Sequence, residues 1–220
     1  MQLDDVTGDA ALAMVYANRK FRAHFQALPG FDAVLAQALS ASRDPVMSQF
    51  RLAFWRGAVR PEANKADLPV DFHDLIAHHD VNGDRLAALV DGWEALLEDL
   101  PLTPQQLTAY ANARGGNLFA LAARIAGQDA SEATSRAGAG WALVNFARHC
   151  SDQATVQTSL SLAGALLADR PSRLMPRTLK PFALLADFAW DDCRKGPLRW
   201  IRPASPMRAI RALGFVRKRH

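Results

Sequence analysis

The chain has 220 residues, half of them apolar, and a formal net charge of +4. That length can bury a sizeable core in one large domain, and the lack of a run of about 18 apolar residues excludes a membrane-spanning helix. Two cysteines, Cys150 and Cys193, stand outside any CxxC pair and exclude an ordinary disulfide framework or zinc site. The start, MQLDDVTGD, has neither the charge nor the apolar segment of a signal peptide, so a cytoplasmic protein is expected. Charge is unevenly spread. From Cys193 to His220 there are nine Lys or Arg and no acidic residue, leaving 17 basic against 22 acidic residues before that point, a net charge of −5. Ala and Leu dominate, Ile occurs only at 76, 125, 201 and 210, and no alternating strand pattern appears, so the fold class is all-α.

A first helix is expected from about Thr7 to Leu28, with Leu12, Val15, Tyr16, Phe21 and Phe25 apolar and Pro29-Gly30 as its stop. Arg19, Lys20 and Arg22 crowd its second half. They suit the negative end of the helix dipole, and Arg22 could instead face the interior. A helix pair follows over about 31–42 and 46–59, broken by Pro45. Its second member carries Arg51 and Arg56 among Phe50, Phe54 and Trp55, either as a pocket wall or as arginines that reach solvent.

Beyond a loop over 60–69, a short helix from about Val70 to His79 leads into the turn Asp80 to Gly83. His73, His78, His79 and Asp80 look like metal ligands, but their spacing does not give the shared face of an i, i+4 pair, and a solvated helix end is the default. A longer helix spans about Arg85 to Glu98. Thr103-Pro-Gln-Gln106 is a capping-box start with Pro at the first helical position. It opens a helix running to about Gly127, and another covers Ala130 to Cys150. Gly115, Gly116, Gly138 and Gly140 sit in the middle of these two helices at a cost of roughly 1 kcal/mol each, which calls for close helix approach or room for a ligand. A weaker helix covers Asp152 to Ala168, and the last body helix covers about Thr178 to Arg194. There Asp187 and Asp191 share a face that could hold Mg²⁺ or simply lie exposed beside the basic tail.

Residues 1–200 thus form one helical domain and 201–220 a basic amphipathic tail. The tail spaces Met207, Ile210, Leu213 and Val216 helically between arginines, a pattern that suits an anionic membrane surface. Peripheral attachment at the inner face of a membrane is the expectation that follows. The body has no basic patch or RNA-binding motif, so nucleic acid is not an expected partner.

Three stretches carry a family resemblance. FDAVLAQALSASRDPVMSQFRLAFWRGAV resembles the region of squalene/phytoene synthases where a helix ending near a proline precedes an RLxWWR-like segment. YANARGGNLFALAARIAG is similar to the family's YAxxxAGxxLxxxA helix, and AGAGWALVNFARH to its AxxLGxALQLTNILRD helix, with order and spacing in agreement from about residue 10 to 200. The resemblance implies an isoprenoid-synthase helical bundle with a central cavity. Active members condense two prenyl diphosphates head to head, and two Asp-rich motifs hold Mg²⁺ against the leaving diphosphates, whose charge must be neutralised by a hard cation.

Laid on this chain, the first motif's aspartates fall on Ala36, Gln37 and Ser40. The second motif keeps Asn145 and Arg148, puts His149 where its first aspartate belongs, and leaves only Asp152 acidic. The resemblance therefore implies a non-catalytic member, similar to a mitochondrial branch needed to assemble respiratory complex I. It makes Arg22, Arg51, Arg56, Tyr110, Asn145 and Arg148 the pocket candidates. The expected partners are an isoprenoid or lipid ligand, an anionic membrane surface and a membrane-complex protein, with no metal cofactor. The rival is a divergent Mg²⁺-dependent prenyltransferase that uses Asp152, Asp187 and Asp191.

Overall fold

Pro29 and Gly30 lie inside a helix rather than at its end. In the computed structural model, which describes residues 8–41, 44–60, 73, 81 and 83–218, the first break comes earlier, between α1 (Gly8–Met14) and α2 (Arg22–Ser40). Proline costs a helix interior about 3 kcal/mol. Here Phe25, Leu28, Phe31 and Leu35 are all buried along α2. Each such side chain contributes roughly 1.5–3 kcal/mol by leaving water, so the buried face outweighs the missing N–H. The sequence signal of Pro-Gly is overruled by burial.

The next helices start where their caps stand. Asp44 caps α3 (Pro45–Ala58) by accepting from the Val46 N–H, and α4 spans Gly83–Glu94 with a short 3₁₀ turn after it. Thr103 and Gln106 form the expected capping box at α5 (Pro104–Ala111). The single long helix expected from there to Gly127 is interrupted by a π turn over Asn112–Gly116 before α6 (Asn117–Ile125) resumes. Ser131, Asp152 and Ser205 cap α7 (Glu132–Ala147), α8 (Gln153–Leu167) and α10 (Pro206–Arg217), and α9 spans Lys180–Lys195. No strand occurs among the described residues, and the all-α reading stands. The expected loop over 60–69, the helix over 70–79 and the turn at 80–83, with His78, His79 and Asp80, fall largely outside the described residues.

At the centre lies α7, packed against α8, α9, α6 and the π turn. Its glycines explain themselves by close approach. A Cβ on Gly115 would stand 2.0 Å from the Gly138 carbonyl oxygen, one on Gly138 2.1 Å from the Gly115 oxygen, and one on Gly140 2.5 Å from Leu167. Beneath this contact an aromatic cluster joins α2, α6 and α9. Phe182 meets Phe25 edge to face at 5.1 Å and Phe119 at 5.2 Å.

The segment after residue 200 packs onto the body through α10, against α9 and α1. Arg208 is wholly buried there and pairs with Asp9 and Asp192, and Arg211 pairs with Asp191. Met207, Ile210 and Leu213 face outward, 55, 62 and 51% exposed. No helix among the described residues is long and apolar enough to cross a membrane.

Candidate functional site: a cavity walled by paired charges

The π turn decides what the bundle encloses. One extra residue in the turn rotates the following side chains off the ordinary helical register, and two glycines let the turn press between its neighbours. Gly138 on α7 is one. Gly92 on α4 is the other, since a Cβ there would lie 2.8 Å from the Arg114 nitrogen. The result is that Arg114 projects into the bundle, buried, toward α2.

Asp32 on α2 meets it in a bidentate pair. Arg114 Nε and Nη2 donate to the two carboxylate oxygens at 2.8 and 2.7 Å, and Trp93 Nε1 donates to Asp32 Oδ1 at 2.8 Å. Nη2 also donates to Asn145 Oδ1 at 2.9 Å, and Nη1 donates to the Tyr110 hydroxyl. The guanidinium carbon lies 4.2 Å from the Trp93 ring centre and 4.9 Å from that of Trp141. Burial works to lower the Arg114 pKa, but Asp32 and Tyr110 overcome it and hold the group firmly charged. Burial raises the Tyr110 pKa, so its phenol keeps its proton.

Beside this pair lies a cavity of about 620 Å³, within the range of about 300–1,000 Å³ typical of small-molecule sites. Tyr110, Arg114, Asn145 and Asp32 line it, with Ala36 and Ser40 from the next turns of α2. Arg148 and His149 at the end of α7, Asp192 on α9, Asp9 on α1 and Pro203 also line it. Asp192 accepts from Arg148 at 2.6 Å and from the buried Arg208, and Asp9 Oδ2 lies 3.2 Å from Arg208 Nε. Burial raises the Asp9 pKa, against the pull of Arg208 and the Ala204 N–H.

Of the six pocket candidates, the structure brings three to this cavity: Tyr110, Asn145 and Arg148. The other three lie elsewhere. Arg22 donates to the Val15 and Ala17 carbonyls at 3.4 and 3.2 Å, in the turn that follows α1, where no helical N–H serves them. Arg56 pairs with Asp91 and Glu94 on α4. Arg51 lines a separate open groove between α2 and α3, with Gln37, Val34 and Trp55. Nor do the three metal alternatives meet. Asp152 caps α8, accepting from the Thr155 N–H and hydroxyl, which lowers its pKa. Asp187 pairs with Arg170 at 2.6 Å, and Asp191 with Lys195 and Arg211.

Residues 3–162 match the sequence model of squalene/phytoene synthase. The chain belongs to the squalene/phytoene synthase family. No curated protein and no solved structure matches it. The family match runs from α1 nearly to the end of α8, and so contains Asp32, Arg114, Asn145 and Arg148, whereas Asp192 and Arg208 lie beyond it.

Sequence reasoning missed the two residues that define the cavity, Asp32 and Arg114. Asp32 is the lone acidic residue of the run FDAVLAQALS and belongs to no motif. An arginine inside the Ala- and Gly-rich run YANARGG was the available signal for its true partner, because a buried cation there demands a carboxylate. Asp192 stands next to the Asp187 and Asp191 face in sequence, but its burial depends on a tail residue 16 positions later.

Proposed function

We propose that this member of the squalene/phytoene synthase family is non-catalytic: a cavity protein that binds an isoprenoid or other lipid without Mg²⁺ and serves in assembly at a membrane surface. One observation carries the reading. Ala36, Ser40, Asn145 and His149, which the family resemblance places within the two Asp-rich motifs, face a single cavity, and none of them is a carboxylate. The carboxylates that do reach that cavity are each taken by an arginine: Asp32 by Arg114, Asp192 by Arg148 and Arg208, Asp9 by Arg208. Such residues do not fit a Mg²⁺ cluster, which needs oxygen ligands free to leave other partners. Among the described residues no group of three or more His, Cys, Asp or Glu is placed to hold a metal.

The test is turnover. Purified protein with farnesyl or geranylgeranyl diphosphate and Mg²⁺ should release diphosphate no faster than buffer. Release above that background would establish the divergent prenyltransferase instead. A regulatory partner of an active synthase is a further alternative that co-purification would detect.

The membrane part of the reading rests on α10. Its apolar residues Met207, Ile210 and Leu213 are exposed beside exposed Arg217 and Lys218, the composition of an interfacial helix. Arg208 and Arg211 are committed to inward pairs, so apolar insertion supplies more of this contact than the count of tail arginines suggests. Ile210→Glu with Leu213→Glu should weaken sedimentation with anionic vesicles while leaving Arg208 in place. Unchanged sedimentation counts against membrane attachment.

A further inference from the structure

The charge arrangement of the cavity bears on what enters it. Asp9, Asp32 and Asp192 are balanced by Arg114, Arg148 and Arg208, and every one of these charges is already paired across the wall. Arg114 is one of two arginines that line the cavity, yet four of its five N–H groups are directed to Asp32, Asn145 and Tyr110, and its guanidinium lies over the rings of Trp93 and Trp141. Arg148 Nη2 serves Asp192 and the Ile201 carbonyl. A diphosphate entering this wall would leave water for a site with no net positive charge, and burying an uncompensated anion is strongly unfavourable.

Neutral polar capacity does remain. The Tyr110 hydroxyl is fully buried and accepts from Arg114, and its own hydrogen has no acceptor among the bonds of the described residues. Because Asn145 Oδ1 receives Arg114, the amide Nδ2 is directed away, and its hydrogens have no acceptor among the bonds of the described residues. Both residues line the cavity, so two donors are available to one oxygen of a ligand, and the rest of the wall includes Ala36, Leu39, Val144 and Leu185.

We propose that the cavity takes an uncharged amphiphile, an apolar chain ending in a hydroxyl or carbonyl, and rejects the diphosphate ester of the same chain. This rests on the non-catalytic reading and specifies its ligand. The Tyr110 hydroxyl and the Asn145 amide hold the head oxygen, and the apolar wall holds the chain.

The experiment compares farnesol with farnesyl diphosphate, with and without Mg²⁺, on the full chain. Calorimetry and the change in tryptophan fluorescence, to which Trp93 and Trp141 at the cavity contribute, give the readouts. Farnesol should bind at least about tenfold more tightly, a difference of about 1.4 kcal/mol, with no effect of Mg²⁺. Tyr110→Phe should weaken farnesol binding several-fold. Asp192→Asn, which removes the carboxylate charge beside Arg148 while Arg208 keeps Asp9, should strengthen diphosphate binding relative to farnesol binding. The wild-type comparison decides the matter even if a variant fails to fold, which circular dichroism would reveal. Equal or tighter binding of the diphosphate without turnover overturns this proposal and leaves the non-catalytic reading standing. Absence of farnesol binding overturns it as well. Mg²⁺-dependent diphosphate release would instead bring down the non-catalytic reading.

Discussion

Replacing Asp32 by Asn separates charge from shape at the centre of the molecule. The amide keeps the size of the carboxylate and can still accept from Trp93 or Arg114, but it leaves the guanidinium, 4% exposed, without a counterion. Removing one partner of a buried pair costs about 3–5 kcal/mol, chiefly because the remaining charge stays desolvated. The two tryptophans that flank Arg114 at 4.2 and 4.9 Å offset part of this, which places the loss near about 3 kcal/mol. For a chain of this size that is a fall in melting temperature of roughly 6–12 °C. Urea unfolding followed by circular dichroism measures it. The double variant Asp32→Leu with Arg114→Leu removes both charges and should recover much of the loss, because no unpaired ion remains. A single variant within about 1 kcal/mol of wild type, or a double variant whose loss is the sum of the two singles, would refute the buried-pair argument.

Other consequences are equally direct. Gly115→Ala drives a methyl into the Gly138 carbonyl and should cost several kcal/mol or abolish folding, whereas Gly57→Ala, with nothing within 4 Å of the new methyl, should gain about 0.5–1 kcal/mol; equal effects in a thermal melt would refute the close-approach account. Asp9 binds its proton more readily folded than unfolded, so over the range between its unfolded and folded pKa the native state holds more proton and stability falls as pH rises. Asp9→Asn should remove that slope, and a variant whose urea midpoint tracks wild type from acid to neutral pH would show that burial of Asp9 has no such effect. Asp152→Asn preserves an N-cap acceptor and should leave the melting temperature nearly unchanged, whereas Asp152→Ala lowers it; a loss with Asn as large as with Ala would point to a role for the charge beyond capping.

Much of the fold was legible because its signals are local. The capping box at Thr103, the Asp44-Pro45 start of α3 and the tail's helical spacing each depend on a few adjacent residues. Pro29-Gly30 misled because a strong local breaker was set against four buried side chains whose partners lie on other helices. The π turn was illegible for a related reason: Gly92, 22 positions before Arg114, and Gly138, 24 after it, make the space for the turn, and neither adjoins it in sequence.

The candidate site divides along the same line. Tyr110, Asn145 and Arg148, read from contiguous motifs, lie on the cavity wall. Arg51 and Arg56 stood just as prominently in sequence, but α3 presents them to a surface groove and to α4. Asp32 with Arg114, and Asp192 with Arg208, are pairs made only by the packed bundle.

In the proposed reading, the family cavity persists here without its metal chemistry. Titration of the protein with Mn²⁺, as a stand-in for Mg²⁺, in the presence of farnesyl diphosphate and followed by electron paramagnetic resonance, tests it most directly. The protein should leave the signal of the Mn²⁺–diphosphate mixture unchanged. A new protein-bound Mn²⁺ signal that needs both protein and diphosphate would contradict it.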